Sequence, residues 1–220
     1  MHQNSILIFR KHLLRAFTDG AHVLEVGPDG DPSTYRREVT AHVTWSTADL
    51  ASQVDANDGR LWGSGRGTEL TYRMSSDYEI AAAGGTFDIV VSGQVIEHVR
   101  KPWIWLKELA RVCKPGGLVL TVNPVSWPYH EAPIDCWRIY PEGMRALCEE
   151  AGLIVELSVF ESIEQRPLAW YPGESYNAGR GPKGRALNRI KATTGYPLSI
   201  AFDTVTIARK PAVSARPRGQ

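Results

Sequence analysis

Apolar residues in the first part of the chain follow a helical spacing, which then gives way to a short continuous apolar run. The helical set consists of Ile6, Phe9, Leu13, Leu14 and Phe17. Asp19-Gly20 interrupts this pattern, and the apolar run at 22–26 is typical of a buried strand. The chain is therefore predicted to begin with an amphipathic helix, a turn and a strand.

Six more apolar runs alternate with helical patterns along the rest of the chain. They predict strands at 42–47, 70–74, 87–92, 118–122, 154–160 and 202–208. One helix is predicted to begin at Pro102 and to end before Pro115-Gly116-Gly117, and another covers 141–151. Buried strands that alternate with helices indicate an α/β fold, here a mostly parallel, Rossmann-like sheet of seven strands with helices on both faces.

Length and composition bound the domain organisation. With 220 residues, of which 43% are hydrophobic and 22% charged, the chain fits a single globular domain, which we place at 1–210. The long connection at 161–200 is rich in Gly, Pro and Arg, and we expect a lid or a homodimer contact there. The Pro- and Arg-rich tail at 211–220 is predicted to be disordered.

The charge balance and the cysteines restrict the partners. The formal net charge is only +1, so the chain offers no strong attraction to nucleic acid, and no apolar run is long enough to cross a membrane. Cys113, Cys136 and Cys148 have no metal-finger spacing and suit free thiols in a reducing compartment. We expect a cytoplasmic protein that acts on a small molecule.

A glycine-containing turn follows the first predicted strand, at the place where open α/β sheets bind ligands. Its sequence is V-L-E-V-G-P-D-G-D-P at 23–32, with Glu25 and Gly27 in the spacing E-x-G. Asp29 and Asp31 would repel the pyrophosphate of NAD or FAD, whereas a cationic sulfonium tolerates acidic neighbours. The alternative interpretation is that Gly27 only shapes a tight turn.

A second motif lies downstream. It reads F-D-I-V-V-S-G-Q-V-I-E-H-V at 87–99, then Pro102 and L-K-E-L-A-R-V-C-K-P-G-G at 106–117. Together with the E-x-G turn, it resembles the class I S-adenosylmethionine-dependent methyltransferases (type 11-like) over roughly 20–160, although Asp29 and Asp31 stand where two family glycines are usual. The resemblance implies a Rossmann-like class I methyltransferase fold, S-adenosylmethionine as cofactor, and a binding set of Glu25, Gly27, Pro28, Asp29, Asp49, Asp77, Ser92 and Gln94. In that set Asp49 would accept hydrogen bonds from the ribose hydroxyls, and Asp77 would bind the adenine amino group.

The candidate acceptor site is the loop after the fifth predicted strand, at 123–141. His130 is the first candidate for a general base, with Glu131 and Asp135 to orient it or to bind the acceptor. His98, in the E-H-V motif, is a further catalytic candidate. Arg138 is expected to anchor either a substrate carboxylate or an acid of the protein itself. The substrate-binding set is completed by aromatic side chains that can stack on an acceptor or belong to the core, namely Trp127, Tyr129 and Trp137.

The acceptor loop also resembles, less closely, the sugar O-methyltransferases of actinobacterial methylmannose polysaccharide synthesis. This resemblance implies a sugar or oligosaccharide hydroxyl as acceptor, and it admits Mg²⁺ held by Asp135 or Glu131. N- or C-methylation of another small metabolite stays open, as does methylation of protein or nucleic acid. A non-catalytic regulator on the same fold and a nucleotide-sugar dehydrogenase or epimerase are the remaining alternatives.

Overall fold

The structure is a computed structural model that describes residues 3–50, 70–127, 129–130, 134–163 and 201–212. Its helices are α1 (Gln3–Ile8), α2 (Thr34–Glu38), α3 (Pro102–Val112) and α4 (Pro141–Glu150). Its strands are β1 (His22–Val26), β2 (Thr44–Leu50), β3 (Tyr72–Met74), β4 (Phe87–Gly93), β5 (Cys113–Pro124), β6 (Ile154–Glu161) and β7 (Asp203–Arg209). No helix in these ranges is both long and apolar enough to cross a bilayer.

The seven strands form one sheet in the order β3-β2-β1-β4-β5-β7-β6. Strand β1 pairs in parallel with β2 and with β4, and β2–β3 and β4–β5 are parallel as well. Only β7 runs antiparallel to its neighbours, β5 and β6. The predicted mostly parallel, Rossmann-like sheet is therefore confirmed.

Apolar layers cover both faces of the sheet, because successive side chains of a strand point to opposite faces. On one face, Leu24 of β1 packs in a cluster with Trp105 and Leu109 of α3. On the other face, Val23 packs with Phe9 and Leu13, which lie in the helical segment after α1. The predicted helices on both faces are confirmed.

The predicted boundary of the second strand is wrong by a few residues, with a consequence for function. Strand β2 begins at Thr44 and continues to Leu50, because its bounds are set by parallel pairing with β1, from His22↔Thr44 to Val26↔Ala48, and with β3, from Ala48↔Tyr72 to Leu50↔Met74. A local apolar pattern does not contain that pairing. Asp49 therefore lies within the strand, one residue before its carboxyl end, and does not follow it.

The helical start of the chain is confirmed, and three residues of its predicted apolar set, Phe9, Leu13 and Phe17, are buried. Helix α1 continues through a π-helical turn and a 3₁₀ turn to Ala16, and Ile6 is only partly buried. The polar residues Asn4 and Ser5 are fully buried as well, which the apolar pattern did not predict. The predicted lid or dimer segment at 161–200 lies mostly outside the described residues, as does most of the tail at 211–220, so both stay predictions.

Candidate functional site

The site lies where the chain order of the sheet reverses, between β1 and β4. At such a point the connections that follow the two neighbouring strands leave in opposite directions. They leave a crevice at the carboxyl ends of the strands, where ligands of open α/β sheets bind. Val26 and Ser92 are paired at this edge. Ser92 Oγ donates a 2.8 Å hydrogen bond to the main-chain oxygen of Val26, so the predicted cofactor residue Ser92 ties the two strands together.

Gly27 makes the turn that follows β1. Its φ of +73° lies in the left-handed region that favours glycine, and its N–H donates to the Ala48 oxygen of β2 at 2.9 Å. A Cβ at this position would overlap Cγ2 of Val95, in the turn that follows β4. The packing of the protein itself therefore requires Gly27, and the next residue, Pro28, is buried beside it.

Asp29, which stands where the family usually has glycine, caps the helix that follows. Its two carboxylate oxygens accept hydrogen bonds from the main-chain N and from Oγ1 of Thr34, both at 2.7 Å. Thr34 is the first residue of α2, where a carboxylate satisfies an unpaired amide. The carboxylate of Asp29 thus contacts the start of α2.

Glu25 lies beneath this turn and is almost completely buried. It accepts hydrogen bonds from Ser33 Oγ and, at 3.0 Å, from Trp45 Nε1. Burial raises the pKa of Glu25 to about 7, against the effect of these two hydrogen bonds. The described contacts of Glu25 are with the protein, and they hold the loop between β1 and α2.

Asp49 and Asp77 lie at the carboxyl ends of β2 and β3. The pKa of Asp49 is raised to about 6, mainly by burial and in smaller part by the charge of Asp77. The hydrogen bond from the Leu50 N–H, at 2.8 Å, opposes this rise. Burial also raises the pKa of Asp77, while Arg100 opposes it. The structure thus brings these two predicted cofactor residues within electrostatic reach of each other, beside the Gly27 turn.

Gln94 ends β4 in a strained conformation and belongs to a buried network that sequence analysis missed. It is the one described residue other than glycine with positive φ, +59°. Its Nε2 donates to Asp203 Oδ1 at 3.1 Å, and Asn4 Nδ2 donates to Asp203 Oδ2 at 2.7 Å. Asn4 also accepts from the Ile163 N–H at 2.9 Å. The first helix therefore reaches the mouth of β4 through Asp203.

Tyr35 is a second residue that sequence analysis missed. Its hydroxyl lies 2.9 Å from Ser5 Oγ, and its ring stacks on Phe9 with centroids 4.1 Å apart. A Cβ on Gly93 would overlap the Tyr35 hydroxyl. The sequence did not predict that Asn4 and Ser5 form buried polar contacts, with Asp203 and Tyr35 respectively, because helical periodicity identifies apolar contacts only.

Two charged residues of the acceptor loop pair with each other. Arg138 donates to both carboxylate oxygens of Asp135, at 2.5 and 2.7 Å, and to the Trp127 oxygen at 3.1 Å. Burial alone would raise the pKa of Asp135, but the hydrogen bonds from Arg138 and from the His130 main chain lower it. Of the two predictions for Arg138, the geometry matches the one in which it anchors an acid of the protein itself.

His98 and His130, the two catalytic candidates, meet at the start of this loop. Their rings lie edge to face with centroids 5.0 Å apart, and His130 Nδ1 is 3.4 Å from Asp135 Oδ2. His98 Nδ1 donates to the Ile134 oxygen at 2.5 Å. Glu97 lies against them, with Oε1 3.8 Å from His98 Nε2. The turn after β4 and the loop after β5 therefore share one cluster.

The aromatic side chains of the loop are accessible to a ligand. Tyr129 is 60% exposed and Trp137 37% exposed, and Trp127 is partly buried. The Trp137 ring meets Trp103 of α3 edge to face, and its Nε1 donates to the Val99 oxygen at 2.9 Å. Glu131, the last predicted substrate residue, lies outside the described residues.

Comparisons with known proteins find similar sequences and a similar fold. Residues 37–121 match the family model described as "Methyltransferase domain". A ubiquinone biosynthesis O-methyltransferase of Dinoroseobacter shibae is 31% identical over 130 residues, which are 51% of this chain and 50% of that protein. A protein of the same name from Parvibaculum lavamentivorans is 36% identical over 75 residues, or 33% of this chain and 30% of that protein. The chain thus spans half or less of the length of these curated relatives.

A solved structure matches nearly the whole chain. The S-adenosylmethionine-dependent methyltransferase of Archaeoglobus fulgidus superposes with a TM-score of 0.56 at 15% identity, covering 93% of this chain and 92% of that one. The predicted resemblance to the class I methyltransferases is therefore confirmed, and the chain carries a methyltransferase-domain match on the Rossmann-like fold of that class. The resemblance to sugar O-methyltransferases stays a prediction.

Proposed function

We propose that this chain transfers a methyl group from S-adenosylmethionine to a hydroxyl group of a small acceptor. The observation that carries the proposal is the arrangement of the β1–β4 edge, where the Gly27 turn, Asp49 and the end of β4 adjoin the paired rings of His98 and His130. The relatives at 31% and 36% identity are named O-methyltransferases, which favours oxygen over nitrogen or carbon as the acceptor atom.

The residues at this edge fit the proposed cofactor. Asp49 is a partly buried carboxylate whose pKa is raised to about 6, and hydrogen bonds from two ribose hydroxyls would offset the cost of its burial. Asp77, at the end of β3, is proposed to bind the adenine amino group. Asp29 leaves the crevice to the ligand because its carboxylate is bound to Thr34. S-adenosylmethionine itself supplies an electrophilic methyl group on a sulfonium.

The chain must then hold the acceptor oxygen in line with the methyl group and favour loss of its proton. We propose that the acceptor hydroxyl lies against His98 and His130. Asp135 lies 3.4 Å from Nδ1 of His130 and can stabilise a positive charge on that side of the ring. Arg138 fixes Asp135 through two hydrogen bonds and thereby keeps His130 in place.

A sugar or oligosaccharide is the proposed acceptor class, and the exposed rings of Tyr129 and Trp137 support it, because flat aromatic faces stack on sugar rings. An aromatic hydroxyl is the second candidate, and the names of the relatives favour it. The same rings would stack on an aromatic acceptor.

The geometry does not require Mg²⁺ on Asp135, whose oxygens are bound to Arg138 and to the His130 N–H. A reducing, cytoplasmic setting is supported by the free thiols of Cys113, Cys136 and Cys148.

The first experiment is calorimetric titration of the chain with S-adenosylhomocysteine, which needs no acceptor. Stoichiometric binding is expected. Transfer of radiolabelled methyl from S-adenosylmethionine is then measured with methyl glycosides, oligosaccharides, catechols, amines and small carbon acids. Labelled sugar would support the first acceptor class and labelled catechol the second, and label on nitrogen or carbon alone would contradict the proposed hydroxyl acceptor.

A matched pair of variants separates acceptor binding from cofactor binding. Trp137→Ala is expected to raise KM for the acceptor while the affinity for S-adenosylhomocysteine stays unchanged. Phe160→Ala, which removes a 39% exposed ring from β6, is the control and should change neither. Folded wild-type protein that does not bind S-adenosylhomocysteine would contradict the proposal and favour a non-catalytic regulator on this fold.

A further inference from the structure

Three side chains at the acceptor end of the site can supply ligand atoms to a single point. A carboxylate oxygen of Glu97 and one ring nitrogen each of His98 and His130 all lie within 4.8 Å of one another. In the described ranges of the chain, this is the one group of three or more His, Cys, Asp and Glu residues with that spacing. The cluster joins the turn after β4 to the loop after β5.

Glu97 gives an independent reason to expect a cation. Its side chain is about 1% exposed, and neither carboxylate oxygen has a hydrogen-bond partner among the residues that the structure describes. Buried carboxylates are normally paired or bound to metal, because an unpaired one loses its hydration without compensation. A cation beside Glu97 would supply the missing partner.

The two histidines are oriented as metal-bound histidines usually are. His98 Nδ1 donates to the Ile134 oxygen, which leaves the lone pair on Nε2, 3.8 Å from Glu97 Oε1. His130 Nδ1 lies 3.4 Å from Asp135 Oδ2. Metal-binding histidines almost always donate their second nitrogen to a carbonyl or a carboxylate, which fixes the ring. Both types of contact occur in this cluster.

We propose that Glu97, His98 and His130 bind a divalent transition-metal ion, with Zn²⁺ the best fit. Two imidazoles and one carboxylate suit Zn²⁺, and three protein ligands leave a position for water or a substrate oxygen. Mg²⁺ prefers a shell made of oxygen atoms only. Ligand atoms about 2.1 Å from a tetrahedral ion lie about 3.4 Å apart, so modest side-chain rotations close the observed spacing.

The surrounding charges are compatible with a cation. Arg138, whose positive charge acts on Glu97 and His98, is already paired with Asp135 by two hydrogen bonds. Both imidazoles are partly exposed, with 18% and 17% of their side-chain surfaces accessible, so an ion can enter above the buried carboxylate. For its meaning in catalysis the site rests on the proposed function, because a hydroxyl bound to the ion has a lowered pKa. In the metal-bound protein the histidines are ligands, and the ion favours loss of the hydroxyl proton.

The test is titration of chelator-treated protein, purified without a histidine tag, with Zn²⁺ alone. One ion per chain is expected, and Mg²⁺ should not compete. Co²⁺ should give the visible absorption of a tetrahedral site with nitrogen and oxygen ligands. His98→Ala, His130→Ala and Glu97→Gln should each weaken Zn²⁺ binding by about tenfold or more. His42→Asn, which changes a histidine outside the cluster, is the matched control and should bind as the wild type does.

Circular dichroism identifies any variant that does not fold, and Glu97→Gln conserves the shape of the buried side chain. Zn²⁺ should raise the Tm of the wild type and of His42→Asn, but not that of His130→Ala. Absence of Zn²⁺ binding by folded wild-type protein, or wild-type affinity for Zn²⁺ in His98→Ala and His130→Ala, would overturn the metal site. Because S-adenosylhomocysteine binding is measured without metal, failure of the metal site is distinguishable from failure of the proposed methyl transfer.

Discussion

Asp29 accepts two hydrogen bonds from Thr34, one from its main-chain N and one from its hydroxyl. This contact explains why an acid can occupy a glycine position of the methyltransferase turn. The carboxylate caps the first turn of α2, where the amide groups of a helix are unpaired and a negative charge is favourable. The departure from the family pattern is thus a local stabilising contact, and the glycine that the fold requires is Gly27.

Asp29→Gly, which restores the family residue, is expected to destabilise the protein. Loss of both hydrogen bonds to Thr34 should lower the free energy of unfolding by about 1–2 kcal/mol. The affinity for S-adenosylhomocysteine should change by less than about threefold, since the carboxylate contacts α2, and a threefold change is only about 0.7 kcal/mol. Urea denaturation and calorimetry measure the two quantities. Asp31→Asn, an exposed acid of the same loop, is the control. A large loss of affinity at unchanged stability would show that Asp29 contacts the ligand.

Asp49→Asn is expected to weaken S-adenosylhomocysteine binding by about 10- to 100-fold, which corresponds to losing hydrogen bonds to a charged group. Asp88→Asn is a matched control, because Asp88 lies near the amino end of β4, at the opposite edge of the sheet. Calorimetry measures both affinities, and unchanged binding by Asp49→Asn would refute the ribose assignment.

The same residue predicts a pH dependence of cofactor affinity. Because the pKa of Asp49 is raised to about 6, the carboxylate is ionised above that pH and protonated below it. A protonated carboxyl accepts hydrogen bonds less well, so affinity should fall as the pH decreases through about 6. Asp49→Asn should remove this component of the dependence. A wild-type affinity with the same pH profile as that of the variant would contradict the assignment.

The sheet was predictable because its strands are buried on both faces and read as continuous apolar runs, as Phe87–Gly93 does. The end of β2 was not, because the pairing of Leu50 with Met74 of β3 fixes it across 24 residues of chain. The position of Asp49 at the crevice followed from the family spacing. Its place inside the strand followed only from the pairing.

The candidate site was predictable where one segment of the chain carries the motif, as at Gly27 and His98. It was not predictable where segments far apart meet. Asn4, Gln94 and Asp203 form one hydrogen-bonded group from three separate parts of the chain, and neither Asn4 nor Asp203 belongs to a recognised motif. Glu97 is part of a recognised motif, but the absence of a hydrogen-bond partner for its carboxylate among the described residues is visible only in the folded chain.

Gly27→Ala tests the close contact between the Gly27 turn and the turn after β4. The added Cβ would overlap Val95 Cγ2, and φ of +73° strains any other residue. The expected loss in the free energy of unfolding is about 2–4 kcal/mol, from overpacking and backbone strain together. In the double variant, Val95→Ala should restore only the part of the free energy of unfolding that Gly27→Ala loses through overpacking. Equal losses with and without Val95→Ala would show that backbone strain alone is responsible.

Glu25→Gln tests the buried acid beneath the loop, through the pH dependence of stability. The pKa of Glu25 is about 7 in the folded chain, against an ordinary 4.5, mainly because of burial. Between these values the folded state keeps a proton that the unfolded state has lost, so the free energy of unfolding falls as pH rises. Over this window Glu25 contributes a decrease of about 3 kcal/mol in the free energy of unfolding.

A glutamine side chain does not titrate, so the variant should lack this part of the pH dependence in urea denaturation between about pH 5 and pH 8. Glu142→Gln, at a side chain 88% exposed, should keep the wild-type slope. Parallel pH profiles for the wild type and Glu25→Gln would show that Glu25 is ionised in the folded protein at low pH, and that its contacts with Ser33 and Trp45 compensate for burial.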